Sequence, residues 1–211
     1  MNKITIIALT LGFIINVSAQ EKSKNLSDVF KAEWLIGSWE RKNDEGKVVR
    51  TVTFGWKIKD VLMFKENKSS SGEVGSFSLI SLEKKTNDVL YHSFHSDGYV
   101  SVGKLKTMGE KVLRTANWST KKLTTKEMES MAESYSAEQL AAGKIKKEEL
   151  AKFRNETLQN LKKRKTSGTN AYIWKNAGPD KMLSTQVFKN ESGAYVETDD
   201  SWTEISTRVS E

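Results

Sequence analysis

A two-residue alternation of apolar and polar side chains, interrupted at short and regular intervals, limits the fold of this chain more than any other feature. In one segment Val52, Phe54 and Trp56 fall on one face of a predicted strand, and Thr51 and Thr53 fall on the other. Polar or glycine-containing breaks recur at residues 43–46, 67–72, 84–88, 97–98 and 108–109. This spacing predicts an antiparallel meander of short strands.

The alternation stops at residues 121–165, where the pattern becomes helical. Thr124 with Glu127, and Ser136 with Gln139, have the form of capping boxes, in which a hydroxyl and a carboxylate or amide satisfy free N–H groups at a helix start. The second predicted helix carries an apolar stripe of Leu150, Phe153, Leu158 and Leu161. We therefore expect an inserted helical hairpin. Surface helices normally bury such a stripe, which favours packing on the strands over a dimer or membrane-surface contact.

The positive charge of the chain is concentrated in this insertion. The formal net charge is +7, and residues 121–165 hold 12 basic and 7 acidic side chains, a local net charge of +5. A basic surface of this kind favours contact with an anionic envelope surface, a polysaccharide or an acidic protein. Nucleic acid is not an expected partner if the protein is exported.

Strand composition returns after the insertion, over residues 171–174, 182–188 and 195–205. The total of eight to ten strands is the number that closes a small antiparallel barrel with room for side chains or one ligand. We expect a mainly β protein, with a single up-and-down antiparallel barrel and the helical hairpin between two late strands. One proline and 13 glycines leave no obvious linker, so residues 20–211 are expected to form one domain.

The first 19 residues have the pattern of a secretory signal peptide. Lys3 precedes an apolar run over residues 4–17, and small side chains end the segment at Val17-Ser18-Ala19. The prediction is an exported protein, periplasmic or secreted, that does not span the membrane. The chain has no cysteine, which excludes a lipid anchor at the cleavage point, disulfides and thiolate metal sites.

The stretch Trp34-Leu35-Ile36-Gly37-Ser38-Trp39-Glu40 opens the first predicted strand. Its Gly-x-Trp motif follows a short predicted helix at residues 25–31 and resembles the start of lipocalin-like (calycin) domains, in particular the uncharacterised lipocalin-like domains of secreted bacterial proteins. The resemblance extends to residues 53–56 and 93–98. It implies that Gly37 and Trp39 close one barrel end, and that Arg208 near the last strand stacks on the Trp39 ring.

The two histidines of the chain are candidate functional residues on one predicted strand. His92 and His95 are an odd number of residues apart, so they face opposite sides of that strand. His92 points inward if Leu90 and Phe94 do, and becomes a candidate haem or metal ligand or hydrogen-bond donor; His95 takes that place if the other face is the inner one. No cofactor or metal site is assigned.

Tryptophans are the other candidate ligand contacts, because a flat or lipidic molecule fits an aromatic-lined cavity. Trp56, Trp118 and Trp174 are candidates for such a wall, with core packing as the alternative. Two hypotheses remain: an exported barrel that binds a small apolar or amphipathic molecule, or an exported scaffold whose barrel is filled and whose basic hairpin contacts a partner. An enzyme is less favoured, because hydrolase and nucleotide-binding signatures are absent. It would use His92 or His95 with Asp97, or the carboxylates Glu197, Asp199 and Asp200.

Overall fold

The computed structural model describes residues 24–209 and contains a closed antiparallel barrel of ten strands. Strands β1 to β9 each pair with the next along the chain, β9 pairs with β11, and β11 pairs with β1 to complete the ring. The short β10 pairs with β9 outside the ring. The strands are β1 (Gly37–Lys42), β2 (Val48–Ile58), β3 (Leu62–Ser69), β4 (Val74–Glu83), β5 (Asp88–His95), β6 (Val100–Met108), β7 (Lys111–Ser119), β8 (Ser167–Asn176), β9 (Lys181–Lys189), β10 (Tyr195–Val196) and β11 (Thr203–Arg208).

The mainly β barrel with a late helical insertion is thus confirmed, and its strand number is at the upper end of the predicted range. The alternation that predicted the strands is visible in β5, where Val89, Tyr91 and Ser93 are buried and the residues between them are not. The signal-peptide prediction for residues 1–19 lies outside the described residues.

One barrel end is closed by the segment that precedes β1. The short helix α1 (Leu26–Val29) buries Leu26, Phe30 follows it into the core, and Leu35 lies fully buried beneath Trp39. The Leu26 N–H donates to the carbonyl of Asp60 at 2.9 Å, which attaches α1 to the turn between β2 and β3. In an up-and-down barrel alternate turns lie at the same end, so the turns after β4, β6 and β8 share this closed end.

The insertion between β7 and β8 forms the helices α2 (Thr125–Ala141) and α3 (Leu150–Lys163). Thr124 caps α2 as predicted: its hydroxyl accepts from the Glu127 N–H at 3.3 Å, and its own N–H donates to the Glu127 carboxylate at 2.8 Å. The second predicted capping box is wrong, because Ser136 lies inside α2. Its hydroxyl donates to the carbonyl of Ala132 at 2.6 Å, one helical turn back, and does not start a new helix.

Phe153, in the apolar stripe of α3, packs against α2, whereas the sequence favours packing of this stripe on the strands. The Phe153 and Tyr135 rings lie 5.8 Å apart between the two helices. The side chains of Met131 and Tyr135 remain 43% and 47% exposed. Among the residues that the structure describes, no helix is both long and apolar enough to cross a bilayer. Because β7 ends and β8 begins opposite α1, the hairpin stands at the open end of the barrel.

Candidate binding site inside the barrel

The open end of the barrel leads to a cavity of about 640 Å³, within the range of small-molecule sites. Its lining combines apolar and aromatic side chains with charged and polar ones. The apolar and aromatic lining consists of Val52, Phe54, Tyr99, Tyr172, Trp174, Met182 and Trp202. The charged lining consists of Arg41, Arg50, Lys65, His95, Asp97, Arg114 and Glu204. The barrel is therefore not filled by its own side chains.

Two of the cavity arginines share one carboxylate. Arg41 and Arg50 both donate to Oε1 of Glu204, the latter at 3.3 Å. The Glu204 side chain is only 14% exposed, so this group is held within the wall. Two cations on one carboxylate leave a residual positive charge at the mouth.

Lys65 and Arg114 face the same cavity, and neither has a carboxylate within ion-pair distance among residues 24–209. Arg114 is 9% exposed; its Nη2 donates to Oδ1 of Asn170 at 2.5 Å, and its buried Nε has no hydrogen-bond partner in the described part of the chain. Its guanidinium carbon lies 4.7 Å from the Tyr172 ring centroid and 5.2 Å from the Tyr91 ring centroid. Aromatic faces thus substitute in part for a counter-ion.

Aromatic faces border the Lys65 ammonium on two sides. Its Nζ lies 5.5 Å from the Trp174 ring centroid and 6.0 Å from that of Phe54. Burial lowers the pKa of Lys65. Tyr91 partly offsets this effect, the positive charges of Arg114 and Arg50 lower the pKa further, and Glu204 raises it slightly. The residue keeps some accessible surface because it borders the cavity. A cation in this position is stabilised when an anion enters.

The strand alternation explains why these charges point inward. Arg114 lies between the buried Val112 and Ala116 on β7, and Lys65 follows the buried Met63 by two residues on β3. Arg50 precedes the buried Val52 by two residues on β2 and so lies on the same strand face. The sequence therefore contains a signal for this site, namely charged residues that alternate in step with buried ones along a strand. Reasoning from the tryptophans did not use this signal.

The inner face of β5 is the one that carries His95. The His95 ring contacts the ring of Tyr99 edge-on at 4.6 Å between centroids, and its Nε2 lies 3.2 Å from the Ser93 hydroxyl. Burial lowers the pKa of His95, an effect that Asp97 partly offsets. His92 is half-buried on the outer face and does not line the cavity. The two imidazoles therefore do not share a site, and an acid/base pair could involve only His95 and Asp97.

The candidate tryptophans fall in three different places. Trp174 lines the cavity. Trp118 lies behind the lining and stacks on the Tyr99 ring at 5.5 Å between centroids. Trp56 packs half-buried against the core near α1, where Lys59 Nζ lies 5.3 Å from its ring centroid. Its end of β2 is the closed one, so the cavity does not reach it.

The closed end has the geometry that the lipocalin resemblance implies. Trp39 is fully buried, and its Nε1 donates to the carbonyl of Leu35 at 2.8 Å. The guanidinium carbon of Arg208 lies 4.2 Å from the Trp39 ring centroid. Gly37 has φ +121°, and a Cβ there would lie 2.7 Å from Nη1 of Arg208. Glycine is required at this position both for its backbone angle and for the space that the arginine occupies.

The carboxylates near the last strands form no metal site in the part of the chain that the structure covers. Glu197, Asp199 and Asp200 are exposed and lie outside the cavity lining. Within residues 24–209 no three histidine, aspartate or glutamate side chains converge as metal ligands would. The carboxylate that does belong to the cavity is Glu204, which sequence reasoning did not select.

Comparison with known proteins adds the following. No family model matches the sequence, and no curated protein matches it. The chain is similar to the crystal structure of Rv2717c from M. tuberculosis, with a TM-score of 0.36 and 10% sequence identity over 84% of this chain and 94% of that chain. A similarity of this strength carries no conclusion about ligand or activity. The closed ten-stranded barrel itself fits a lipocalin-like fold.

Proposed function

We propose that this protein binds a small amphipathic anion inside its barrel. The anionic group lies between Lys65 and Arg114, and the apolar part of the ligand lies against Trp174 and Phe54. The observation that supports this proposal is the pair of inward-facing cations without a carboxylate partner among the described residues. A purely apolar ligand would bring no negative charge to either cation.

The energetics of the cavity support an anion over a neutral molecule. A buried charge without a partner costs several kcal/mol in general, because it loses water without gaining an ion pair. A carboxylate, phosphate or sulfonate restores that loss through charge-assisted hydrogen bonds, each contributing roughly 1.5–3 kcal/mol. Aromatic walls contribute further through contact with the apolar part of the ligand.

A matched pair of fluorescent probes tests this proposal. Anilinonaphthalene sulfonate and phenylnaphthylamine share an aromatic skeleton, but only the first carries a negative charge. We expect the sulfonate to bind more tightly, with quenching of tryptophan fluorescence by a probe that contacts Trp174. Lys65→Met should weaken sulfonate binding at least ~10-fold, the equivalent of one charge-assisted hydrogen bond, and leave the neutral probe unaffected or bound more tightly.

The control variant is Tyr135→Ser, which alters the exposed apolar surface between α2 and α3 and not the cavity. Sulfonate binding that is lost in Tyr135→Ser and kept in Lys65→Met would place the probe on the helical hairpin and contradict the proposal. Equal binding of both probes to wild-type protein would also contradict it. Native mass spectrometry of protein purified from its own host would then identify the natural anion as a mass released on denaturation.

A second candidate function is contact with a partner or an anionic envelope surface through the helical hairpin. It is favoured by the half-exposed apolar groove of Met131, Tyr135, Phe153 and Leu161, which the basic Arg164 borders. This role does not require a filled barrel, so it is compatible with ligand binding. Sedimentation of the protein with vesicles containing anionic lipid, compared with purely zwitterionic vesicles, tests the surface contact; Tyr135→Ser should reduce it.

We also propose that the protein is exported and cleaved after Ala19, on the sequence pattern of residues 1–19. Expression of the full chain in a bacterial host should yield mature protein whose N-terminal residue is Gln20. Recovery of uncleaved protein in the cytoplasm would contradict this proposal without affecting the one for the cavity.

A further inference from the structure

Tyr91 is a buried tyrosine next to the two unpaired cations, and the proposed binding site does not use it. Its side chain is 1% exposed. The ring faces the guanidinium of Arg114, whose carbon lies 5.2 Å from the centroid, and its edge contacts Trp174 at 6.2 Å between centroids. A tyrosine here can lose its hydroxyl proton and become a negative charge beside Arg114 and Lys65.

A line of hydrogen bonds connects the Tyr91 hydroxyl to the cavity. The Tyr91 oxygen lies 3.0 Å from Ser78 Oγ, Ser78 Oγ lies 3.0 Å from Ser93 Oγ, and Ser93 Oγ lies 3.2 Å from Nε2 of His95. Both serines are fully buried, and His95 lines the cavity. In this structure Ser78 donates to Ser93, the arrangement that suits a protonated Tyr91. Serine hydroxyls rotate to suit their partners, so transfer of a proton towards Tyr91 requires both serine hydroxyls to reorient.

We propose that the Tyr91 phenolate is the internal counter-ion of Lys65 and Arg114, and that it takes up a proton through His95, Ser93 and Ser78 when an anionic ligand replaces it. This inference rests on the proposed function, because it assigns a proton to each binding event at the same site. In the step itself the His95 Nδ1 accepts a proton from hydronium or a buffer acid in solution, and its Nε2 donates to Ser93. The Ser78 hydroxyl, which donates to Ser93 in this structure, rotates to donate to the phenolate oxygen, and Ser93 then donates to Ser78.

The electrostatics of the free protein agree with this assignment. Burial alone would raise the pKa of Tyr91, but the positive charges of Lys65 and Arg114, with hydrogen bonds from Ser78 and Ser93, lower it to about 8. An anion between the same two cations cancels their effect and leaves burial to raise the pKa again. The other charged or titratable groups around the cavity are Arg41 on β1, Arg50 on β2, His95 on β5, Asp97 and Tyr99 after β5, Tyr172 on β8 and Glu204 on β11.

The coupling has a definite sign. In free protein about half of Tyr91 is phenolate at pH 8, so binding there takes up roughly half a proton per ligand if the pKa rises by more than a unit. Affinity for the anion should therefore fall as pH rises through about 8, by up to ~10-fold per pH unit above it.

The first experiment needs no ligand. Ultraviolet absorbance of the phenolate band, followed against pH in native protein, should show one of the five tyrosines titrating near pH 8. That step should be missing in Tyr91→Phe and retained in the matched control Tyr135→Phe, which changes an exposed residue of α2. A native protein in which no tyrosine titrates below about pH 9.5 would overturn the internal counter-ion, whatever the cavity binds.

The second experiment measures proton uptake during binding. Calorimetric titration with anilinonaphthalene sulfonate, whose charge is constant over this range, is performed near pH 8 in two buffers that differ in ionisation enthalpy. We expect uptake of roughly half a proton in wild-type protein and in Tyr135→Phe, and almost none in Tyr91→Phe, which should still bind the probe.

The outcomes separate this inference from the function on which it rests. Absence of sulfonate binding to wild-type protein overturns the proposed function. Binding without proton uptake overturns the coupling alone. Uptake that persists in Tyr91→Phe assigns the proton to another group, of which Lys65 is the first candidate because its pKa is also lowered, and overturns the role of Tyr91.

Discussion

Replacing Arg208 by alanine should remove one of the largest single contributions to the stability of this barrel. The guanidinium joins its own strand β11 to two other segments, the start of β1 and the turn before β9. Its Nη1 donates to the carbonyl of Ile36 at 2.7 Å, its Nη2 to that of Trp34 at 2.7 Å, and its Nε to that of Pro179 at 3.0 Å. The same group lies 4.2 Å from the Trp39 ring centroid. One side chain therefore joins the start of β1, the turn before β9 and the buried indole.

The size of the loss follows from these contacts. The two part-buried hydrogen bonds from a charged donor contribute roughly 1.5 kcal/mol each at the lower end of their usual range. The stacking on Trp39 adds about 1 kcal/mol, and the exposed bond to Pro179 is counted as zero. The expected loss for Arg208→Ala is about 4 kcal/mol, a large share of the roughly 5–15 kcal/mol that stabilises a typical domain. Arg208→Lys keeps the charge but not the planar fork, so about half of that loss is expected.

Urea denaturation followed by tryptophan fluorescence measures the effect, with the slope against urea checked for constancy. The matched control is Arg154→Ala in α3, whose guanidinium makes one exposed contact at 3.4 Å with Glu133; it should cost less than about 0.5 kcal/mol. A loss below ~1 kcal/mol for Arg208→Ala, or a loss no greater than that of the control, would refute the view that this arginine holds the closed end together.

Three further predictions use the same denaturation assay. Gly103→Ala should lower the free energy of unfolding by about 2–3 kcal/mol or more, because its Cβ would lie 1.9 Å from the backbone oxygen of Thr115. The control Gly75→Ala, whose Cβ would have its nearest contact 3.9 Å away, should change the free energy of unfolding little. Similar losses in the two variants would count against the packing argument. Lys65→Met should stabilise the free protein by roughly 1 kcal/mol, since it replaces an inward cation without a carboxylate partner by an apolar side chain. A destabilised variant would indicate that the aromatic faces fully compensate the Lys65 charge. The wild-type free energy of unfolding should rise between about pH 8 and 10. Tyr91 has a folded pKa of about 8 against 10.0 in its ordinary state, and the folded pKa of Lys65 is also lowered, so the unfolded chain binds more protons in this range. The rise should be smaller in Tyr91→Phe, and a wild-type free energy that falls over this range would contradict the prediction.

The fold was largely predictable because its determinants are local. Alternation along each strand and the short breaks between strands depend on neighbouring residues, and so does the Thr124 capping box. Ser136 shows the limit of such reasoning. A hydroxyl three residues before a glutamine has capping-box form, yet inside a helix the same hydroxyl bonds to the carbonyl one turn back. Local pattern does not distinguish these two states when helix-forming residues continue on both sides.

The candidate site was predictable only in part, because its composition depends on which strands meet across the barrel. Trp174 and His95 line the cavity. Both are among the aromatic and imidazole side chains that the sequence indicates as candidates for the inner face. Trp56 lies on the same strand face as Phe54. It is four residues further along β2 than Val52, which places it at the closed end of the barrel. Strand face is a local property; depth along the barrel axis depends on register and closure, which a single strand does not define.

The same distinction explains why the charged residues of the cavity carry more functional information than its aromatic ones. Aromatic side chains are expected inside any small barrel, since they fill space at little cost and stabilise the fold without a ligand. Lys65 and Arg114 are not expected inside a barrel that only needs to fold. Each lies on the same strand face as buried neighbours, and each lacks a carboxylate partner within residues 24–209. Apolar residues at these two positions would favour folding more. Inward cations at these two positions are therefore the basis for proposing that the barrel binds an anion.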